Sequence, residues 1–77
     1  MPDKLKLYGS EYCHLCDEAG ALLGLLGIDA EYVDIAADDE LIDLYGTRIP
    51  VLQRMDTGME LDWPFGADGL TEFLHKP

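Results

Sequence analysis

Cysteine is scarce in this chain of 77 residues: there are two, too few for a disulfide scaffold to stand in for a hydrophobic core. Cations are scarce as well, five Lys and Arg against sixteen Asp and Glu, and the net charge of −11 repels phosphate backbones and anionic membrane surfaces. Nucleic acid and membrane are therefore excluded as expected partners. No apolar run reaches the ~18 residues that a membrane-spanning helix needs, and the opening residues lack the basic-then-apolar pattern of a secretory leader. Repeats, linkers and low-complexity tracts are missing too, which leaves a single domain over residues 1–77. These absences set the expectation of a monomeric, cytoplasmic protein in a compartment that keeps free thiols reduced. What is present is apolar material, 48% of the residues with one Trp, four Tyr and two Phe, enough for a compact core and too much for disorder.

The two cysteines, Cys13 and Cys16, are separated only by His14 and Leu15. Upstream, Leu5-Lys6-Leu7-Tyr8 reads as a short strand and Gly9-Ser10-Glu11-Tyr12 as a loop. Downstream, Leu15, Ala19, Leu22, Leu23 and Leu26 recur at helical spacing. Both cysteines are thus expected in the first turn of a helix, where free N–H groups and the positive end of the helix dipole favour a thiolate. The thiolate is the reactive form in disulfide exchange. Three residues apart on one turn, the pair can close a small disulfide. Cys13 would attack from the exposed tip and Cys16, deeper and shielded, would resolve the mixed disulfide. His14 as an imidazolium would assist the thiolate while Glu11, Asp17 and Glu18 would oppose it, so a moderate stabilisation is expected. Read blandly, the pair is two small buried residues. Read as ligands, two sulfurs with His14 and a distant His75 would need a second copy of the chain to close a structural zinc site.

Gly27 closes that helix, and Ala30-Glu31-Tyr32-Val33-Asp34-Ile35 alternates as a half-buried strand does. Asp38 as N-cap, with Asp39 and Glu40 in the first turn, starts a short second helix through Leu41, Ile42, Leu44 and Tyr45, which Gly46 stops. Pro50 to Arg54 reads as a strand, turned by Asp56-Thr57-Gly58 into Met59 to Trp63 as a hairpin. After the loop Trp63-Pro64-Phe65-Gly66, Asp68 is expected to cap a last helix with Leu70, Phe73 and Leu74 on its buried face and Lys76 near its negative end. The order is β-α-β-α-β-β-α. Its crossovers require parallel strands and its hairpin an antiparallel pair, so the expected fold class is α/β, a four-stranded mixed sheet with helices on both faces.

That order, with Tyr8-Gly9-Ser10-Glu11-Tyr12-Cys13-His14-Leu15-Cys16, Tyr45-Gly46-Thr47-Arg48-Ile49-Pro50-Val51 and Phe65-Gly66-Ala67-Asp68-Gly69-Leu70, resembles the thioredoxin fold in its short glutaredoxin form. The chain is most similar to the small bacterial glutaredoxin-like family. The resemblance implies a thiol-disulfide oxidoreductase that cycles between a Cys13–Cys16 dithiol and disulfide and reduces protein or glutathione mixed disulfides. Glutathione or a reductase would supply the electrons; no cofactor is resident, and glutathione enters only as a co-substrate. It further implies that Pro50 is cis and faces the sulfurs, that the Ile49 backbone pairs with a visiting thiol peptide as an added strand, and that Tyr12, His14, Arg48, Gly66 and Asp68 contribute to the ligand site. The chain departs from the glutaredoxin pattern at Ser10, where a Lys is usual, at His14-Leu15 in place of Pro-Tyr and at Arg48-Ile49 in place of Thr-Val. Phe65-Gly66-Ala67-Asp68 keeps only part of the Gly-Gly-x-Asp loop. It departs from thioredoxins at Leu7, where those keep a buried acid. Beside this reading stand two others: a catalytically idle interaction module, and a metal or iron–sulfur carrier working as a dimer.

Overall fold

The computed structural model describes residues 4–76. Strand β1 (Leu5–Gly9) lies between two partners: β2 (Glu31–Asp34) runs parallel to it, and β3 (Val51–Arg54) antiparallel with Leu5 opposite Arg54 and Tyr8 opposite Val51. Strand β4 (Glu60–Asp62) pairs antiparallel with β3, giving the sheet order β2-β1-β3-β4. Helices α1 (His14–Leu25), α2 (Asp39–Tyr45) and α3 (Ala67–His75) complete the expected β-α-β-α-β-β-α order.

Strand alternation divides the core between two faces. Leu5, Leu7 and Leu52 point to the side covered by α1 and α3, where they pack with Ala19, Leu23, Phe65, Leu70, Phe73 and Leu74. Tyr8 and Val51 point the other way, against Ile35 and Tyr45 near α2. Tyr8 and Tyr45 stack there with ring centroids 4.3 Å apart. Helices thus cover both faces, as the element order requires.

The helix ends explain where the chain turns. Beyond α1, Gly27 adopts φ +69°, a left-handed conformation that a side chain would strain. The turn lets the Gly27 N–H reach the Gly24 carbonyl at 3.2 Å and the Ile28 N–H reach that of Leu23 at 2.9 Å. Asp38 caps α2 through a 2.9 Å bond from the Glu40 N–H. Two expectations need correction. The second strand stops at Asp34, because the Asp34 carboxylate accepts the Ala36 N–H at 2.9 Å and winds Ile35–Ala37 into a single 3₁₀ turn. Helix α3 is capped by Gly66, without a side-chain bond, and Asp68 sits inside its first turn as a favourable charge.

At the far end of α3 the last carbonyls find a cation from another element. Arg54, 4% exposed, donates through Nη1 to the Phe73 carbonyl at 2.8 Å and the Lys76 carbonyl at 2.6 Å. Its Nε and Nη2 hold Asp56 at 3.0 and 2.7 Å, which compensates the buried charge. Burial opposes this charge, and the Asp56 hydrogen bond outweighs it: the Arg54 guanidinium is held above its ordinary range.

Candidate active site

One end of the sheet collects most of the residues singled out in the sequence. The C-terminal end of β1 leads to Cys13; β3 runs antiparallel to β1, so Pro50 and Ile49, which precede it, lie at the same end. Strand β4 finishes there too, with Asp62 opposite Val51, and the chain continues through Phe65 to Gly66 and Asp68 at the N-terminus of α3. Cys13, His14, Ile49, Pro50, Gly66 and Asp68 are thereby brought to one edge by topology.

Cys13 is the N-cap of α1, one position earlier than expected, and Cys16 lies inside the first turn. The two form a disulfide with Cα atoms 5.2 Å apart. Cys13 Sγ accepts the Cys16 backbone N–H at 3.1 Å, so an otherwise free N–H of the helix terminus points at the first sulfur. Cys13 is half-exposed, whereas Cys16 is 2% exposed. His14 opens the helix and is exposed. Tyr12, just before the pair, is wholly exposed and adopts φ +62°, left-handed backbone that a non-glycine residue rarely takes. Its ring packs against nothing.

The Ile49–Pro50 bond is cis, as the resemblance implied, and Pro50 is buried. Its segment is held from two sides. Within the backbone, the Tyr45 carbonyl accepts the N–H groups of Arg48 at 2.8 Å and Ile49 at 3.0 Å, and the Pro50 carbonyl accepts that of Trp63 at 3.2 Å. Through side chains, Arg48 lies over the Tyr45 ring at 5.3 Å and reaches β4, with Nη2 2.8 Å from both Glu60 Oε1 and Asp62 Oδ1 and Nε 3.3 Å from Asp62 Oδ2. Tyr45 donates its hydroxyl to Glu60 Oε2 at 2.5 Å. Each partner is shifted in the sense this predicts. Asp62 and then Glu60 hold the Arg48 cation above its ordinary range; burial and then Glu60 push the Tyr45 phenol up; Tyr45 and then Arg48 pull Glu60 down against burial. Arg48 is therefore a neutralised cation that ties the proline segment to the sheet.

Charge is unevenly spread along the sheet. Toward the end where Leu5 meets Arg54, the cations Lys4, Lys6 and Arg54 stand among Asp29, Glu31 and Asp56 and are largely balanced by them. Glu11, Asp17, Glu18, Asp34 and Asp68 lie toward the sulfur end, where Arg48 is already paired.

Two residues of this region escaped sequence reasoning. Gly9 ends β1 beneath the disulfide, where a Cβ would stand 3.0 Å from Cys16 Sγ and 2.8 Å from the Tyr32 hydroxyl. Only glycine leaves room for both. A glycine closing a strand four residues before a cysteine was the available signal; nothing in the alternating β2 pattern marked Tyr32. Among the described residues, no three His, Cys, Asp or Glu side chains converge as a metal centre would require, and no helix is long and apolar enough to cross a membrane.

A sheet ordered β2-β1-β3-β4 with a cysteine pair at the tip of α1 and a cis-proline opening β3 is the thioredoxin-like arrangement. The Glutaredoxin-like domain (DUF836) matches residues 4–75, and the chain belongs to that family. Among solved structures it is similar to target protein XcR50 from X. campestris. The X-ray structure of that protein shares 42% identity over 91% of this chain and 93% of the other, with a TM-score of 0.83. It is also similar to protein Ne2328 from Nitrosomonas europaea, solved in solution, at 33% identity over 95% and 92% of the two chains and a TM-score of 0.80. No curated protein matches the chain.

Proposed function

We propose that this protein is a thiol-disulfide oxidoreductase that reduces disulfides by cycling its Cys13–Cys16 pair. The observation that carries the reading is the unequal pair of sulfurs at one helix tip: Cys13 half-exposed with an N–H aimed at its Sγ, Cys16 buried and covalently within reach. In the reduced protein the Cys13 thiolate attacks a substrate disulfide, forming a mixed disulfide and expelling one substrate thiolate. Cys16 then loses its proton, attacks Cys13 Sγ and expels the second thiolate. The substrate has gained two electrons and the pair is oxidised. Two equivalents of an external thiol, or one dithiol reductase, reverse the sequence on Cys13 and restore the dithiol.

Within this reading the substrate is a protein disulfide in preference to one of glutathione. Glutathione carries two carboxylates, and Arg48, the cation of this end of the sheet, is already shared between Glu60 and Asp62. The Ile49 N–H is used by the Tyr45 carbonyl, so an added strand would meet Ile49 through its carbonyl alone. Tyr12, exposed and next to Cys13, supplies apolar area for a polypeptide.

A redox titration followed by mass spectrometry tests the proposal. The Cys13–Cys16 disulfide should form and break within the cytosolic range of roughly −220 to −320 mV. Cys13→Ser should abolish reduction of an insulin-type protein disulfide, and Cys16→Ser should accumulate a mixed disulfide on Cys13. A pair that stays reduced or oxidised throughout that range would reject the enzyme in favour of a binding module.

A further inference from the structure

A buried sulfur that must carry charge needs a donor. In both halves of the proposed cycle Cys16 passes through a thiolate, as attacking group when the mixed disulfide resolves and as leaving group when the disulfide is reduced. At 2% exposure it lacks the hydration that would stabilise an anion. The helix terminus does not serve it: the Cys16 N–H is directed to Cys13 Sγ, and the Asp17 N–H goes to the Cys13 carbonyl at 3.1 Å.

We infer that the Tyr32 hydroxyl is the hydrogen-bond donor to the Cys16 sulfur when that sulfur is charged, an assignment that rests on the oxidoreductase reading above. The position of a Cβ on Gly9 would be 2.8 Å from the Tyr32 oxygen, 3.0 Å from Cys16 Sγ and 3.1 Å from Tyr32 Cε2. The phenol and the sulfur therefore flank one small space, kept open because residue 9 has no side chain. Tyr32 stands on β2 opposite Leu7 and is half exposed, so its hydroxyl meets the sulfur end from the solvent side of this space. The donor stays protonated while a thiol titrates: burial, then Asp34 on its own strand, Asp17 on α1 and Glu11 in the preceding loop all raise its pKa. The proton remains on oxygen. Tyr32 lowers the cost of the Cys16 anion, and the Cys16 proton itself passes to solvent.

Stopped-flow reaction of the reduced protein with excess Ellman's reagent isolates the step. Attack by Cys13 releases one thionitrobenzoate in a phase that scales with reagent. Attack by Cys16 on the Cys13 adduct then releases the second, forms the disulfide and is independent of reagent concentration. Tyr32→Phe keeps the ring and removes the hydroxyl. It should leave the first phase unchanged, slow the second about tenfold below its pH midpoint and move that midpoint up by about one unit. Gly9→Ala, which forces the hydroxyl away from the sulfur, should act in the same direction. An unchanged second phase and midpoint in Tyr32→Phe would overturn the assignment while leaving the oxidoreductase reading intact. Absence of a second phase in the unaltered protein would remove both.

Discussion

Replacing Glu60 by Ala removes one of the two carboxylates through which β4 holds the segment carrying Ile49 and Pro50. The Tyr45 hydroxyl loses its acceptor at 2.5 Å, and at 6% exposure Tyr45 has little access to water as a substitute; an unpartnered buried hydroxyl costs ~1–3 kcal/mol. Arg48 loses one 2.8 Å contact but keeps both to Asp62, and a pair at this exposure contributes only ~0–1 kcal/mol. The hydroxyl therefore decides the outcome, and the total loss is about 2 kcal/mol, a fall in Tm of roughly 8–16 °C for a domain this small. Glu60→Gln keeps an acceptor for Tyr45 and should cost less than ~1 kcal/mol. In a Tyr45→Phe background, Glu60→Ala should cost ~1 kcal/mol less than it does alone, because the hydroxyl that needed a partner is gone. Acidity gives an independent check. Glu60 titrates below its ordinary value of 4.5 when folded, so its contribution is complete above that value and disappears as the pH falls through the lowered one. The Ala variant should show a flatter loss of stability in acid. Urea unfolding followed by Trp63 fluorescence measures all of these. Equal losses for Gln and Ala, or strict additivity with Tyr45→Phe, would refute the reasoning.

Leu52→Ala empties a site with no exposure beneath α1 and α3, at a cost of ~2–5 kcal/mol, comparable with the whole stability of a small domain; circular dichroism should find much of the protein unfolded at 25 °C. Gly27→Ala places a Cβ on left-handed backbone and should cost ~1 kcal/mol in urea unfolding, without altering the rate at which Cys13 is alkylated. Arg54→Lys cannot hold Asp56 with two parallel N–H bonds and also serve two carbonyls, so amide exchange should accelerate in the last turn of α3 first, and uniform acceleration across the sheet would contradict that role.

The element order was legible because local chemistry punctuates it: Asp38 before α2, Gly27 after α1 and the Thr57-Gly58 turn between β3 and β4 each act within a few residues of where they stand. The cysteine pair was legible for the same reason, since its spacing and its place at the start of α1 are both local. What escaped depended on partners distant in the chain. Arg54 looked like one more strand residue, yet its worth lies in carbonyls about twenty positions later, and Arg48, expected at the ligand site, is engaged by Glu60 and Asp62 of β4. Tyr12, expected at the ligand site, stands wholly exposed on left-handed backbone, which its residue type does not announce. The cap of α3 fell two residues before Asp68 because an acid in the first turn is favourable without being the cap.

Acids in excess at the sulfur end, against near balance at the other, give the molecule an electric moment whose negative pole carries the reactive bond. In a dilute electrolyte a positively charged visitor would rotate it into alignment before touching it, a bias that fades once the Debye length drops below about 8–10 Å. Ionic strength then governs how often partners meet in a productive attitude, while the sulfur chemistry after the meeting proceeds at its own pace.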